Sequence, residues 1–361
     1  MVSVADVLAL VERLAPPEFA FSFDKIGLQV GDPSATVDSM VVSLDPSLEC
    51  IRYIQQTGSK LLLSHHPVIW DPLSSVSFDQ PVGQLLANGI SFIAAHTNWD
   101  CARGGINDVL ASKLHLTNIT DFGEASQSST YKLIVYVPRD HVTAVLDSLA
   151  ENGAGTIGDY TACSFQVDGT GRFTPGEQSD PVVGTPGVPH AEPESRVETV
   201  VPEAKISQVL SRLIEVHPYE EPAFDLVPLK STGGQQAGRI GELSAPVSLD
   251  NFRDHVDATL NTRSMAWRGH DRAIQKVAVV GGAAADHWTY ALHFGADVFI
   301  TGEVPHHVSI QAAAAGVNII AAGHFATENP GMQEMANLLR QTLAIPVHFF
   351  EPESGAAGNP K

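Results

Sequence analysis

The sequence predicts an α/β protein: a duplicated α/β core with mixed, largely parallel sheets, and a ferredoxin-like α+β domain inserted between the repeats. Three observations predict it. Short continuous apolar runs alternate with helical patterns at both ends of the chain. Two blocks of the first third recur in the last third. Between them the texture changes to β-α-β steps around a Gly/Pro-rich stretch. At 361 residues, and roughly 100–200 residues per domain, the length allows two or three domains. The expected boundaries are 1–127 for the first half of the core, 128–232 for the insert and 233–361 for the second half.

The elements follow in order. Val4, Val7, Leu8, Val11 and Leu14 have the i, i+3, i+4, i+7 spacing of an amphipathic helix. That stretch lacks a basic leader and carries Asp6 and Glu12, so it reads as a helix and not as a signal peptide. Apolar runs at 40–44, 61–63 and 90–95 read as buried strands, with a helix over 48–56. Runs at 277–280, 298–300 and 317–322 repeat the rhythm. GSKLLLSHHP (58–67) resembles GADVFITGEVP (295–305), and NGISFIAAHTNWD (88–100) resembles AGVNIIAAGHFATE (315–328). The first pair of blocks is ten residues further apart than the second, which fits a longer loop around 70–80.

In the insert the reading is a strand at 131–138, a helix at 142–151, a Gly-rich turn at 153–158 and a strand at 162–167. A long loop at 173–202, a helix at 204–216 and a strand at 223–228 follow. Residues 233–241 are expected to be a flexible rejoining loop, and 352–361 a disordered tail.

Composition narrows the function. Hydrophobic residues make 43% and charged residues 17% of the chain, enough for a large core and unlike a disordered chain. Asp and Glu outnumber Lys and Arg by 41 to 21, for a net charge of −20. That speaks against binding a nucleic-acid backbone, which needs clustered cations, and favours cation binding. No apolar run reaches the roughly 18 residues of a membrane span. Only Cys50, Cys101 and Cys163 occur, which excludes a disulfide framework and fits a reducing cytoplasm. Fifteen histidines in an acidic chain point to metal chemistry.

The candidate chemistry sits at strand carboxyl ends, where open α/β sheets bind ligands. Ser64-His65-His66-Pro67 ends one apolar run. In an ideal strand the two histidines point to opposite faces and cannot share an ion. In a turn after the strand they could serve neighbouring ions; the alternative is a pair of polar loop residues. His96 to Asp100 ends the next run, and His324 to Glu328 ends its repeat mate. His324 and Glu328 are i, i+4, one face of a first helical turn. His65, His66, His324, Asp100 and Glu328 together offer three imidazoles and two carboxylates. Such a set suits Zn, Mn, Fe or Co better than Ca or Mg. A bridging carboxylate could hold two ions about 3.5–4 Å apart and activate a shared water. The competing reading is unrelated surface histidines at three strand ends. His96 has no partner visible in the sequence and reads equally as a general acid/base, an orienting residue or a buried hydrogen-bonding histidine. Glu303, His306 and His307 occupy the repeat position of the first His pair. Either they line the same cleft or Pro305 starts a helix and the histidines face solvent.

Other patterns are weaker. Gly281-Gly282-Ala283 after a strand is a tight turn or a phosphate cradle, without a full phosphate-binding motif. Cys101 has only Arg103 nearby to lower its pKa. His217-Pro218-Tyr219-Glu220-Glu221-Pro222 is a rigid connector or a cation site.

Taken together, LSHHPVIW (63–70), AAHTNWD (94–100), GHFATE (323–328) and GLQVGDP (27–33) resemble the GTP cyclohydrolase I type 2 homologue family, also known as the Ngg-one-interacting-factor-three-like family. GAGTIGDYTACSF (153–165), GTGRFTP (169–175) and HPYEEPAFDLVPL (217–229) resemble the extra domain of its bacterial members, often likened to the PII and CutA folds. The resemblance spans nearly the whole chain. It implies a duplicated core, two divalent metal ions per chain and a toroidal homohexamer. Matched motif to motif, His65, His66, Asp100, His324 and Glu328 are the metal ligands, with Glu328 the bridge. The family name implies hydrolytic opening of GTP, a metal-activated water attacking C8 of guanine with His96 as candidate proton carrier. The alternative is a non-catalytic metal-binding ring whose insert senses a small molecule or a partner. Residues 184–198 depart from the family's simpler acidic stretch, which leaves the insert's loop contacts open.

Overall fold

A computed structural model describes residues 2–125, 130–158, 160–229 and 235–352. The chain divides into two compact units, one formed by 1–127 with 233–361, the other by 128–232.

In the larger unit the apolar runs of the two ends of the chain build two separate sheets. Met40–Ser43, Leu61–Ser64 and Ser91–Ala94 run parallel, with Met40, Leu61 and Ser91 side by side. Gly27–Val30 pairs antiparallel with Ser91–Ala94, and Val347–Phe349 runs parallel beside Met40–Ser43. Every residue of the central trio is buried, which is why these strands read as continuous and not alternating apolar runs. The second sheet repeats the device. Ile274–Val279, Val298–Thr301 and Asn318–Ala321 run parallel, and Met265–Trp267 pairs antiparallel with the third of them. Gln236–Val247 and then Thr117–Ala125 extend the other edge antiparallel, giving six strands.

The sheets do not follow the sequence halves. Thr117–Ala125 lies before the insert but joins the second sheet, and Val347–Phe349, near the C-terminus, joins the first. Helices cross over as well. Ile106–Lys113 puts Leu110 and Ala111 into the core of the second sheet, among Val277, Val279 and Ile300. His324–Thr342 puts Met332, Met335, Ala336 and Leu339 under Met40, Val42, Leu61 and Leu63 of the first. The N-terminal helix Val4–Leu14 also packs there, started by a capping box between Ser3 and Asp6.

The rejoining segment is not a loop. From Gln236 onward, residues expected at 233–241 to be flexible form the strand Gln236–Val247, and 233–234 lie outside the described residues. Its glycines serve close packing: a Cβ on Gly238 would sit 2.1 Å from the Phe122 ring. The centre of this strand carries Arg239, an arginine with no solvent exposure. Its guanidinium meets Asp108 and Asp121 and donates to the carbonyls of Gln236, Gly238, Cys101 and Ala102.

The smaller unit reads Thr130–Pro138, helix Val142–Glu151, Ser164–Phe173, His190–Pro202, helix Ile206–Val216, Phe224–Leu229. All neighbours in its four-stranded sheet are antiparallel. Both helices share one core with Leu133, Val135, Val137, Val197 and Val201. The stretch 173–202, expected to be a loop, ends in the thirteen-residue strand His190–Pro202, and the strand expected at 162–167 is Ser164–Phe173. Ser195, Val197, Thr199 and Val201 are buried alternately, but Arg196 and Glu198 between them and Glu192, Pro193, Glu194 and Pro202 around them hide that alternation in the composition. The expected tail, from residue 353 onward, lies outside the described residues. Among the described residues no helix is long and apolar enough to cross a membrane.

Candidate metal centre

Three chain segments converge in the larger unit. His65 and His66 follow the strand Leu61–Ser64, where their backbone N–H groups still donate to Ser43 and Leu44. The chain has left regular strand geometry, so both rings reach one centre, 5.1 Å apart between centroids. Asp100 lies on the short helix Thr97–Cys101, for which His96 is the N-terminal cap residue. His324 and Glu328 open the helix His324–Thr342 and face the same side one turn apart.

Glu328 stands at the middle. Its Oε1 is 3.8 Å from His65 Nε2, while Oε2 is 3.3 Å from His66 Nε2 and 3.1 Å from His324 Nε2. Asp100 Oδ1 is 3.6 Å from His65 Nε2. The ligand-type atoms therefore form two trios that share Glu328: His65 with Asp100, and His66 with His324. A third trio joins His65, His66 and His96. Gly282 makes room for the shared carboxylate. It adopts φ +66°, and a Cβ there would lie 2.1 Å from Glu328 Oε1.

Every imidazole is held from behind. Nδ1 of His65 donates to the Ala95 carbonyl at 2.9 Å, which fixes its tautomer. Nδ1 of His66 meets Asp45 at 2.6 Å, that of His324 meets Glu303 at 2.9 Å, and that of His96 meets Asp24 at 2.8 Å. In the neutral rings each Nε2 then carries a free lone pair, and those of His65, His66 and His324 point to the centre. Such outer carboxylate and carbonyl partners are the usual support of metal-ligating histidines. Three buried atoms at the centre, His65 Nε2, Asp100 Oδ1 and Glu328 Oε2, make no hydrogen bond. Buried polar atoms are nearly always partnered. Divalent cations in the two trios would satisfy all three, so the residues fit the metal that their types suggest.

Without an ion, the charges lean on each other. Burial opposes protonation of His66, but Asp45 and Glu328 overcome it and hold the pKa at about 10. The Glu328 carboxylate, aided by Glu303 and against burial, lifts His324 to about 9. Burial also works against a charged His65, yet Asp100 and Glu328 keep its pKa above the ordinary value. Burial would raise Glu328, but the surrounding imidazoles pull it well below the usual carboxylate range. Asp100 is raised, chiefly by burial. This is a site that attracts positive charge to its centre.

Among the other sequence candidates, His306 and His307 are exposed at the start of helix His306–Ala314, and only Glu303 of that group touches the centre. Gly281 and Gly282 spend their N–H groups on Asn107 and Thr327, which leaves no phosphate cradle. Cys101 is buried, and burial pushes its thiol up, away from nucleophilic chemistry. His96 does have a partner: Asp24, which also accepts from the Thr97 N–H at 2.8 Å. Sequence reasoning missed Asp24 and Asp45. Asp45 was findable, because it follows the first strand of the same parallel trio. Asp24 lies in an irregular stretch that carries no periodic signal.

A family model described as Duf34/NIF3 (NGG1p interacting factor 3) matches residues 2–354. A Halalkalibacterium halodurans protein named GTP cyclohydrolase 1 type 2 homolog is 37% identical over 324 residues, 88% of this chain and 87% of that protein. A Mycobacterium leprae protein of the same name is 36% identical over 347 residues, 93% of this chain and 90% of its own. Among solved structures, a Bacillus cereus protein related to NIF3 superposes with a TM-score of 0.67 at 32% identity, covering 98% of each chain. A Staphylococcus aureus protein gives a TM-score of 0.69 at 27% identity over 98% of this chain and 97% of that one.

Proposed function

Because the chain belongs to the Duf34/NIF3 family, we propose that it is a metal-dependent hydrolase with a dinuclear centre, acting on a nucleotide or a related heterocycle. The division of the Glu328 carboxylate carries this reading: one oxygen faces His65 and Asp100, the other His66 and His324. Two ions of Zn, Mn, Fe or Co per chain match that donor set. When bound, such a pair supplies Lewis acidity and a water of lowered pKa.

The chain's own residues would do the rest. Ala95, Asp45 and Glu303 hold three imidazoles with their Nε2 atoms inward. Asp24 accepts a hydrogen bond from the Nδ1–H of His96, which leaves Nε2 to carry a proton to or from substrate. Trp70 stands edge-on to His96 and offers ring surface to a flat heterocycle. The names of the relatives support a guanine nucleotide as first substrate to test. The net charge of −20 disfavours a nucleic-acid polymer. The reading extends to a homohexamer in the cytoplasm; three free cysteines, two of them buried, suit a reducing compartment.

Elemental analysis of untagged protein purified without chelators tests the centre. About two transition-metal ions per chain are expected, and Glu328→Gln, which keeps the shape and removes the charge, should lose both. Full metal content in Glu328→Gln would refute the shared carboxylate. Metal-loaded protein is then incubated with GTP and other nucleotides, and product is followed by chromatography. Full loading with no turnover of any of them would replace the hydrolase by a non-catalytic metal-binding ring. Light scattering reads the hexamer as a mass of six times 38.4 kDa.

A further inference from the structure

Two motifs of the smaller unit, 169–175 and 217–229, take no part in the metal centre. Both line one cavity of about 650 Å³ within that unit. Tyr136 and Glu194 in its wall alternate along their strands with the core residues Val135, Val137 and Val197. They therefore stand on the sheet face opposite the helices. Residues from 174 to 183 line the same space.

Glu194 is the unusual group. It is only 7% exposed, and its Oε1 accepts a hydrogen bond from the Tyr219 hydroxyl at 2.8 Å. Among the described residues Oε2 accepts none, and no Lys, Arg or His nitrogen comes within 4.0 Å of the carboxylate. That leaves Oε2 facing the cavity as an acceptor for a charged donor. The space at Oε2 is kept open by Gly171, where a Cβ would lie 2.0 Å from that oxygen. Phe173 and Tyr219 form an aromatic wall, edge to face with centroids 5.9 Å apart. His217 braces that wall. Its Nδ1 accepts from the Tyr219 N–H at 3.1 Å, so its Nε2 donates to the Tyr136 carbonyl at 3.0 Å, and neither nitrogen is left for a ligand. Glu194, Glu220 and Glu221 against Arg172 give the lining a net negative charge. A metal ion is the poorer guest: every cluster of three metal-ligating side chains found among the described residues lies in the metal centre.

We infer that this cavity binds a small organic cation with N–H donors, an amine or a guanidinium, its charge on Glu194 and its body against Phe173 and Tyr219. The carboxylate supplies a charge-assisted hydrogen bond, and the rings supply cation–π attraction. The site does not depend on the metal chemistry proposed above.

Calorimetric titration of the full-length protein with agmatine, spermidine and methylguanidine tests it. At least one of these cations is expected to bind saturably, and Glu194→Gln should weaken that binding about tenfold or more with metal content unchanged. Methylurea, the neutral counterpart of methylguanidine, should bind far more weakly than the cations. If Glu194→Gln does not fold, Phe173→Leu probes the same site and should weaken binding several-fold through the lost ring face. The inference is overturned if none of the three cations binds. It is equally overturned if the folded variant binds as tightly as the parent, or if methylurea binds as tightly as the cations.

Discussion

Excising residues 126–235 and joining Ala125 to Gln236 through Asn-Gly should leave a folded core that still takes up metal. Ala125 and Gln236 are paired neighbours on antiparallel strands, so their Cα atoms are about 4.5–5.5 Å apart, and a two-residue turn spans that gap. The excised stretch is a closed loop of about 110 residues as seen from the core. Each doubling of loop length costs about 0.6 kcal/mol of closure entropy, so shortening it to two residues relieves at most about 3.5 kcal/mol. The real gain is smaller, because the excised unit is itself compact and restricts its own ends. For a core of this size each kcal/mol moves the melting temperature by roughly 2–4 °C. Scanning calorimetry on metal-free samples should therefore show a rise of up to roughly 10 °C, and reconstitution should restore the metal content of the full chain. A drop in melting temperature, or a core that no longer holds metal, would refute the picture of a hairpin tip that tolerates insertion.

Arg239→Met should destabilise the larger unit by about 3 kcal/mol or more, because it strands Asp108, Asp121 and several carbonyls around a buried charge site; urea unfolding that moves by less than about 1 kcal/mol would contradict this. Metal binding should strengthen as pH rises. The pKa values of metal-free His66 and His324, about 10 and about 9, lie above the unfolded value near 6.5, so their protons must leave before an ion enters. Calorimetry at pH 8 in buffers of different ionisation heat should detect proton release, and pH-independent affinity would oppose it. The same raised values stabilise the metal-free fold fully below about 6.5 and lose that contribution as pH climbs through 9 to 10, which thermal scans after chelation can follow. In the native protein one thiol, Cys163, should react with a thiol reagent, since Cys50 and Cys101 are buried and Cys50 is pushed up to about 12; fast labelling of all three without denaturant would count against the buried pair.

The central strands were legible because Leu61, Leu62 and Leu63, or Val298, Phe299 and Ile300, are buried on both faces and leave an unbroken apolar mark. The convergence of His65, His66, Asp100, His324 and Glu328 was legible for a related reason: each follows or lies near the carboxyl end of such a strand. The supporting shell was not. Asp24 reaches His96 from 72 residues away, and nothing local marks it. Two strands were hidden by composition. In Gln236–Val247 the glycines meet the crowding of Phe122 and Thr117, yet in one dimension they look like turn residues. In His190–Pro202 two prolines and three glutamates give the stretch the composition of a loop. The exchange of strands and helices between halves also left no mark, because pairing partners chosen across the whole chain have no sequence period.

That exchange bears on the order in which the protein can be completed during synthesis. The first sheet has its central strands by residue 94, but its edge strand Val347–Phe349 and the helix His324–Thr342 that covers its core come last. At roughly 5–20 residues per second, the N-terminal third waits on the order of tens of seconds with apolar surface uncovered. Glu328 arrives in the same late segment, so no ion can be gripped between the two trios before the ribosome has nearly finished. The smaller unit has local partners throughout and can settle in the interval. A stalled or truncated chain would then display a finished insert beside an open, metal-free first sheet, a form suited to capture by chaperones.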